Sequence, residues 1–200
     1  MSQDWENSRV LGARRFTCGH VGCGANVSSS EGLKTTNNGP GGFRIYICPD
    51  CARPTLLVVD GSIQIPGVRP GREISGLPGD VVDLYGQARD AYANQSYTAA
   101  VLAIRKILMH IAVEKGAAAG QTFVTYVDHL VANGWAPPGS KPWVDHIRTR
   151  GNEENHEIVL ATQDDATELL AFLEMLLTFM YEFPSRVPGT AGSPPPPSPA

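Results

Sequence analysis

Hydrophobic and polar positions follow two different periods along this chain, one in its first third and another in the rest. Near the start, short alternating runs rich in β-type residues predict strands at 14–17, 43–47 and 55–59. Turns rich in Asn, Gly, Pro and Ser separate them. Three strands of this length bury too little apolar surface to be stable alone. We therefore expect an additional stabilising element in this segment.

From about residue 80 the apolar positions recur every 3.6 residues, and no strand pattern interrupts them. Ser96 and either Asp164 or Asp165 are predicted as helix N-caps. The pattern predicts four or five helices, at roughly 80–94, 96–115, 121–133, 141–150 and 164–182. The fold class is thus mainly α, an antiparallel helical bundle preceded by a small β segment.

The second predicted helix is amphipathic. Its apolar face consists of Val101, Ile104, Leu108, Ile111 and Ala112. Its polar face carries Lys106, His110 and Glu114. Arg105 lies on the flank of the apolar face, where a charged group is expected only beside a partner or a functional cleft.

The last predicted helix is apolar over most of its circumference. One side carries Leu169, Phe172, Leu173, Leu176, Phe179, Met180 and Phe183. Only Glu174 and Thr178 lie opposite, so we expect this helix at the centre of a bundle or in a dimer seam.

Changes in composition divide the chain into five segments. After Pro184 the sequence is too rich in Pro, Gly and Ser to form a core and is predicted to be a disordered tail. The predicted segments are a lead at 1–13, a ribbon at 14–60, a linker at 61–79, the bundle at 80–183 and the tail at 184–200.

Charge is distributed unevenly over these segments. Residues 1–75 hold eight basic and six acidic side chains, whereas residues 76–183 hold seven and fourteen, within a total charge of −4. Bulk charge therefore excludes non-specific coating of nucleic acid, and any such contact needs a local basic surface, for which the N-terminal segment is the better candidate. We expect no secretory signal, no membrane span and a cytoplasmic location, because the first twenty residues and the longest apolar run fit neither kind of segment.

The four cysteines all lie between positions 18 and 51. Cys18 and Cys23 form one pair, and Cys48 and Cys51 form a second on a knuckle-like turn. In a reducing compartment this spacing favours metal binding over disulfides. We predict one structural Zn²⁺ per chain on four thiolates, with His20 as the alternative to Cys18 as a ligand.

A second constellation falls between the last two predicted helices. Arg148, Arg150, Asn152 and His156 converge on one loop, with Gly151 placed as a helix C-cap. One interpretation is structural, with the asparagine in a turn and the histidine in packing. The other is chemical: an imidazole exchanges protons near neutral pH, and a guanidinium stabilises charge on a phosphate.

Two sequence elements resemble the domain-of-unknown-function 4145 family of the HEPN superfamily. They are Tyr97-x2-Ala100 followed by Ile104-Arg105-Lys106-Ile107-Leu108, and Ile147-Arg148-x2-Gly151-Asn152-x3-His156. Many members of that family also carry an N-terminal zinc ribbon. The resemblance implies a HEPN-like bundle, and the wider superfamily includes metal-independent ribonucleases whose arginine precedes histidine by four to six residues.

Arg150 and His156 satisfy that spacing, whereas Arg148 aligns with the family's Ile-Arg pattern. The resemblance implies that His156 acts as acid or base, that Arg150 or Arg148 stabilises the phosphorane, and that two chains pair as a homodimer through the bundle. Asn152 would supply a polar group, and we expect Arg105 to face the same substrate cavity.

The expected function is an endoribonuclease of a toxin, restriction or antiphage defence system. Two alternatives stay open: a non-catalytic module that binds RNA or a nucleotide, and a scaffold whose ribbon docks a partner such as a restriction or defence protein. The scaffold predicts an exposed apolar patch on the ribbon.

Overall fold

A computed structural model describes residues 9–35, 42–58, 63–136, 139–140, 143 and 160–186. The chain divides into two compact units. The first comprises Met1–Pro70 with Tyr92–Gln95, and the second comprises Gly71–Ala91 with Ser96–Ala200. Each unit is described by itself.

The first unit is built on one antiparallel sheet with strand order β1-β2-β3-β4-β5. The strands are β1 (Arg9–Thr17), β2 (Asn26–Lys34), β3 (Phe43–Ile47), β4 (Pro54–Val58) and β5 (Gln64–Ile65). We refer to this sheet and its connecting turns as the ribbon.

One face of the ribbon carries a small apolar core, and the other face carries both buried and exposed apolar side chains. Tyr46 packs with Leu11 and Leu57 in a small core, and its hydroxyl donates to the Gly12 carbonyl at 3.0 Å. A register shift in β1 between Val10 and Arg14 interrupts the ladder with β2. Such an irregularity bends a strand.

The sheet is larger than the sequence predicted. The whole of β2 was absent from the prediction, and so was β5, which falls inside the predicted linker at 61–79. The first strand also begins at Arg9 rather than at residue 14. Residue 59, the predicted end of the third strand, lies outside the described residues.

The second unit contains the helices. They are α1 (Gly79–Ala93), α2 (Tyr97–Glu114), α3 (Phe123–Ala132) and α4 (Gln163–Leu177), followed by a π-helical segment (Thr178–Glu182) and the short α5 (Phe183–Ser185). A β region followed by helices is therefore confirmed. Of the predicted helix at 141–150, only Trp143 is described, and its ring lies 6.1 Å from that of Phe172.

The core of this unit matches the predicted helical periodicity. In α2, Ala100, Ile104, Ile107, Leu108, Ile111 and Ala112 are buried, while Lys106, His110 and Glu114 are exposed. In α4, the buried residues are Ala166, Leu169, Leu170, Phe172, Leu173, Leu176 and Leu177. These side chains are buried within a single chain, so α4 takes the central position in the core.

The cap of α4 differs from the prediction. Thr162 is the N-cap: its hydroxyl accepts from the Asp165 N–H at 3.2 Å, and the Asp165 carboxylate accepts from the Thr162 N–H at 2.8 Å. Asp165 is thus the third residue of a reciprocal capping box rather than the cap itself, and Asp164 lies in the first turn. Ser96 takes the N-cap position of α2 but makes no side-chain cap bond.

The π-helical segment changes the phase of the last helix. The Phe183 N–H donates to the Thr178 carbonyl, five residues earlier, so later residues are turned back by about 100° relative to a continuous α-helix. Phe183 is consequently 55% exposed, which contradicts its predicted place on the apolar side, and Glu182 is buried instead.

The buried Glu182 carboxylate is paired with two arginines, Arg72 and Arg186. Arg72 also donates to the Thr178 hydroxyl at 2.9 Å and lies 3.6 Å from a Glu174 oxygen. The segment before α1 is thereby fastened along the end of the last helix.

Candidate metal centre and the Arg–His motif

Two tight turns position the four cysteines. Cys18 follows β1 and Cys48 follows β3, and each turn reverses the chain within a few residues. The Cys23 N–H donates to the His20 carbonyl at 3.0 Å, and the Ala52 N–H donates to the Cys48 carbonyl at 2.8 Å. These bonds close the two turns so that both cysteines of each pair point to the same place.

A close approach of backbone segments packs the first turn. A Cβ at Gly19 would lie 2.2 Å from the Pro66 carbonyl oxygen, so only glycine fits there. The Arg53 guanidinium, next to the second turn, donates to the Val21 carbonyl of the first at 2.8 Å. The two turns are therefore held together by contacts other than the thiols.

The four Sγ atoms lie within 4.8 Å of one another. Cys18 Sγ is 3.8 Å from Cys51 Sγ, and Cys23 Sγ is 3.9 Å from Cys48 Sγ. Four sulfurs at about 2.3 Å from one ion, at the corners of a tetrahedron, would be about 3.8 Å apart. The spacing matches a closed four-thiolate site, which leaves no ligand position for water or substrate.

His20 is not part of this cluster. Its Nε2 donates to the Pro54 carbonyl at 2.8 Å, so the ring is engaged with the backbone of β4. The structure thus brings Cys18 rather than the alternative His20 together with Cys23, Cys48 and Cys51.

The thiols differ in acidity. Burial raises the pKa of Cys18 to about 12. Burial acts in the same direction on Cys51, but hydrogen bonds from the Arg53 side chain and backbone outweigh it and lower the pKa to about 7. A bound divalent cation would favour the thiolate form of all four.

Arg105 lies on α2 and is half-buried. Its guanidinium carbon is 4.4 Å from the centroid of the Phe123 ring, a buried side chain at the start of α3. This stacking gives the charge an aromatic partner at the flank of the apolar face.

The loop predicted to carry the chemistry lies outside the described residues. This holds for Arg148, Arg150, Asn152 and His156, and for the predicted proximity of Arg105 to them. Two helical histidines outside that loop are described: His110 is exposed, 3.4 Å from Asp80, and the His129 ring contacts the Lys115 carbonyl at 3.1 Å.

Two charged groupings were not predicted from the sequence. One is the Arg72–Glu182 pair, whose members are 110 positions apart. The other consists of Arg9, Lys34 and Arg44, whose relation depends on strand register. An isolated Arg, Lys or Glu in a sequence does not indicate which other charged residues it will lie near in the fold.

Comparison with known families supplies one match. The model of a domain of unknown function, DUF4145, matches residues 86–191, just over half of the chain. The chain belongs to the DUF4145 family. The DUF4145 match begins within α1 and includes Arg105, Arg148, Arg150, Asn152 and His156, whereas the four cysteines precede it.

The family predicted from the sequence is thereby confirmed. No curated protein and no solved structure matches this DUF4145 chain. Among the residues that the structure describes, no helix combines the length and apolar character needed to cross a membrane.

Proposed function

We propose that this DUF4145 protein is a metal-independent endoribonuclease of the HEPN type that carries a structural zinc ribbon. For the zinc, the support is the tetrahedral spacing of the Cys18, Cys23, Cys48 and Cys51 sulfurs. Zn²⁺ suits four thiolates, and a site closed by four protein ligands stabilises a fold rather than activating water.

The observation that carries the ribonuclease proposal is the position of the Arg–His motif within the family match. Arg150 precedes His156 by six residues, and both fall inside residues 86–191. In this mechanism His156 moves a proton to or from the ribose 2′-hydroxyl or the leaving oxygen. Arg150 or Arg148 stabilises the charge on phosphorus, and Asn152 donates a hydrogen bond.

A homodimer suits this chemistry, because each loop contributes one histidine and transesterification benefits from both a base and an acid. We expect the protein to act in the cytoplasm on RNA or a nucleotide, as part of a restriction or other defence system.

The test is cleavage of a mixed RNA pool by the purified protein in the presence of a chelator. We expect His156→Ala to reduce the rate by about 10²–10⁴-fold, the usual contribution of a general acid or base. His110→Ala is the matched control, because His110 is exposed on α2 and should be dispensable. Comparing Arg150→Ala with Arg148→Ala identifies the functional arginine.

Full activity of His156→Ala would overturn the catalytic proposal. So would a wild-type dimer that cleaves no RNA. If that inactive dimer still bound RNA, the non-catalytic module would replace the enzyme.

A second candidate function is favoured by exposed apolar side chains on the ribbon face opposite Tyr46 and Leu57, a face on which Ile47 and Val58 are buried. Leu33, Ile45, Leu56 and Ile65 are paired in register across four strands, so they form one apolar row. Ile65, at the end of this row, is 55% exposed, and Phe43, two residues before Ile45 on β3, is 44% exposed. An apolar patch of this kind is what a protein-docking ribbon requires.

The partner expected for this face is a protein with an apolar surface bordered by carboxylates. Residues 9–58 hold six basic and two acidic side chains, so the ribbon as a whole would attract a partner of net negative charge. A photo-crosslinker at position 65 would capture the partner, which is then purified and titrated against variants.

Phe43→Asp should weaken that binding at least tenfold. Val82→Asp, on α1 and equally exposed, should leave it unchanged. The same loss in both variants would rule out docking through this face.

A further inference from the structure

Three cations from three adjacent strands share one face of the ribbon. Arg9 is paired with Gly32, and Lys34 is paired with Arg44. Gly32 and Lys34 are two residues apart on β2, so their partners emerge on the same side. Arg9, Lys34 and Arg44, which we call the cationic triad, therefore form one patch.

The triad lies at the margin of the face that buries Tyr46 and Leu57, because Gly32 is paired with Tyr46 and Arg44 with Leu57. Arg9 and Lys34 are exposed, and Arg44 is half-buried. Glu31 is adjacent in sequence but paired with Val10, which places it on the opposite face.

Lys34 and Arg44 lie directly opposite each other on β2 and β3, and this pairing of like charges is electrostatically unfavourable. Side chains directly opposite each other in an antiparallel ladder have Cβ atoms about 4.5–5.5 Å apart, and like charges there are destabilising. Within the described part of the chain, no carboxylate forms an ion pair with Arg9, Lys34 or Arg44. An anion between these side chains would relieve the repulsion.

We propose that the cationic triad binds the phosphate backbone of single-stranded RNA. This inference rests on the proposed ribonuclease function and assigns its substrate-holding surface to the ribbon. A flexible single-stranded RNA can place successive phosphates against cations on neighbouring β-strands. Binding through phosphates needs no recognition of the bases. The apolar row, on the other face, stays free of this contact.

The experiment measures binding of a fluorescein-labelled, mixed-sequence 20-nucleotide RNA by anisotropy at several salt concentrations. It uses the full chain carrying His156→Ala, so that cleavage does not consume the probe. Each phosphate contact contributes about 0.7 to the slope of log affinity against log salt concentration for single strands. Lys34→Ala/Arg44→Ala should therefore reduce the slope by about 1.4 and weaken binding at low salt.

The matched control is Arg14→Ala/Arg15→Ala, which removes the same charge from β1. Arg14 and Arg15 are exposed and paired with Ser29 and Ser28, three to four residues along β2 from Gly32. At about 3.4 Å per residue this is roughly 10–14 Å from the triad, so the slope should stay at the parent value. Zinc content and thermal unfolding establish that each variant is folded.

Three results would overturn the inference: an unchanged slope for Lys34→Ala/Arg44→Ala, an equal reduction in the control, or no RNA binding by the parent protein. Cleavage is measured separately, with protein that has an intact His156. The triad proposal can therefore fail in the binding assay without deciding whether the protein is a ribonuclease. If Lys34→Ala/Arg44→Ala instead lost an acidic protein partner while keeping RNA affinity, the patch would be a protein-docking surface.

Discussion

At the residue scale, one stabilising feature of the described chain is a buried carboxylate that is paired with two guanidinium groups. The Glu182 side chain is only 3% exposed and contacts Arg72 and Arg186. The hydrogen bond from Arg72 lowers the pKa of Glu182 below its ordinary value of 4.5. Removing either arginine would leave the buried carboxylate with a single guanidinium partner.

This pairing gives a pH-dependent contribution to stability. Because the folded-state pKa is lowered, the contribution is fully present above pH 4.5 and is lost as the pH falls through the folded value. We expect Glu182→Gln to be less stable than wild type at pH 7. The difference in unfolding free energy should shrink as the pH falls below 4.5 and through the lowered folded-state pKa.

Urea unfolding curves recorded at each pH for both proteins check this expectation. A difference that stays constant over the whole range would show that the ionised carboxylate contributes nothing specific.

The choice between Cys18 and His20 as a ligand of the proposed metal also belongs to the residue scale. Cys18 has its sulfur in the cluster, while the His20 ring is bonded to the Pro54 carbonyl. We expect Cys18→Ser to reduce bound zinc from about one per chain to near zero, and His20→Ala to retain it. Elemental analysis of reduced, freshly purified protein gives the ratio; zinc lost equally from both variants would return His20 to the ligand set.

The role of the cysteines could be predicted from the sequence, whereas the contacts of Glu182 could not. Cysteine spacing indicates a metal site because two closely spaced pairs of cysteines can supply the four ligands of one tetrahedral ion. The Arg72–Glu182 contact could not be predicted, since ordinary charged residues far apart in sequence meet only through tertiary structure. The choice between Cys18 and His20 likewise needed the path of the turn.

At the element scale, helices were predicted better than strands. The 3.6-residue period of α2 and α4 recurs over four turns and leaves little ambiguity. By contrast, β2 has the sequence NVSSSEGLK, whose polar centre resembles a turn, and it becomes a strand because β1 and β3 pair with its two edges. Tertiary pairing overrides local preference in such segments.

The π-helical segment explains the one misplaced aromatic of the last helix. A continuous α-helix would put Phe183 on the side of Leu176, but the wide turn moves it to solvent. The same change of phase brings Glu182 into line with Glu174 and Thr178, where Arg72 contacts all three.

The contribution of the α4 capping box to the stability of the protein can be tested by mutation. Thr162→Ala removes the acceptor for the Asp165 N–H and should destabilise the protein by about 1 kcal/mol. Thr167→Ala, within the same helix and exposed, should have little effect or stabilise slightly, because alanine is the better helix former. Equal urea midpoints for wild type and Thr162→Ala would contradict the role of the cap.

At the scale of the whole molecule, the two units have different sources of stability. Among the described residues, the ribbon has a small core of Leu11, Tyr46 and Leu57, whereas the helical unit has a continuous core of nineteen buried side chains. The order of a β segment followed by helices was predictable from the change of period. The boundaries were not, because the predicted linker contributes a strand to one unit and Arg72 to the other.

Removing the metal should therefore affect the two units unequally. After treatment with a strong chelator, we expect backbone amides of β3 and β4 to exchange rapidly with deuterium, because the small core alone cannot hold the sheet. The far-UV circular dichroism at 222 nm should keep most of its helical signal. Equal loss of both signals would show that the units unfold together.

The long sequence separation between Arg72 and Glu182 also bears on the order in which the two units fold during synthesis. The sulfur contacts of the ribbon join residues at most 33 positions apart, whereas this ion pair joins residues 110 apart. Chains emerge from the ribosome in sequence order, and units whose contacts span less sequence assemble earlier. We therefore expect the four cysteines to come together while most of the helical unit is still to be made, and the helical unit to close only when its last helix is released.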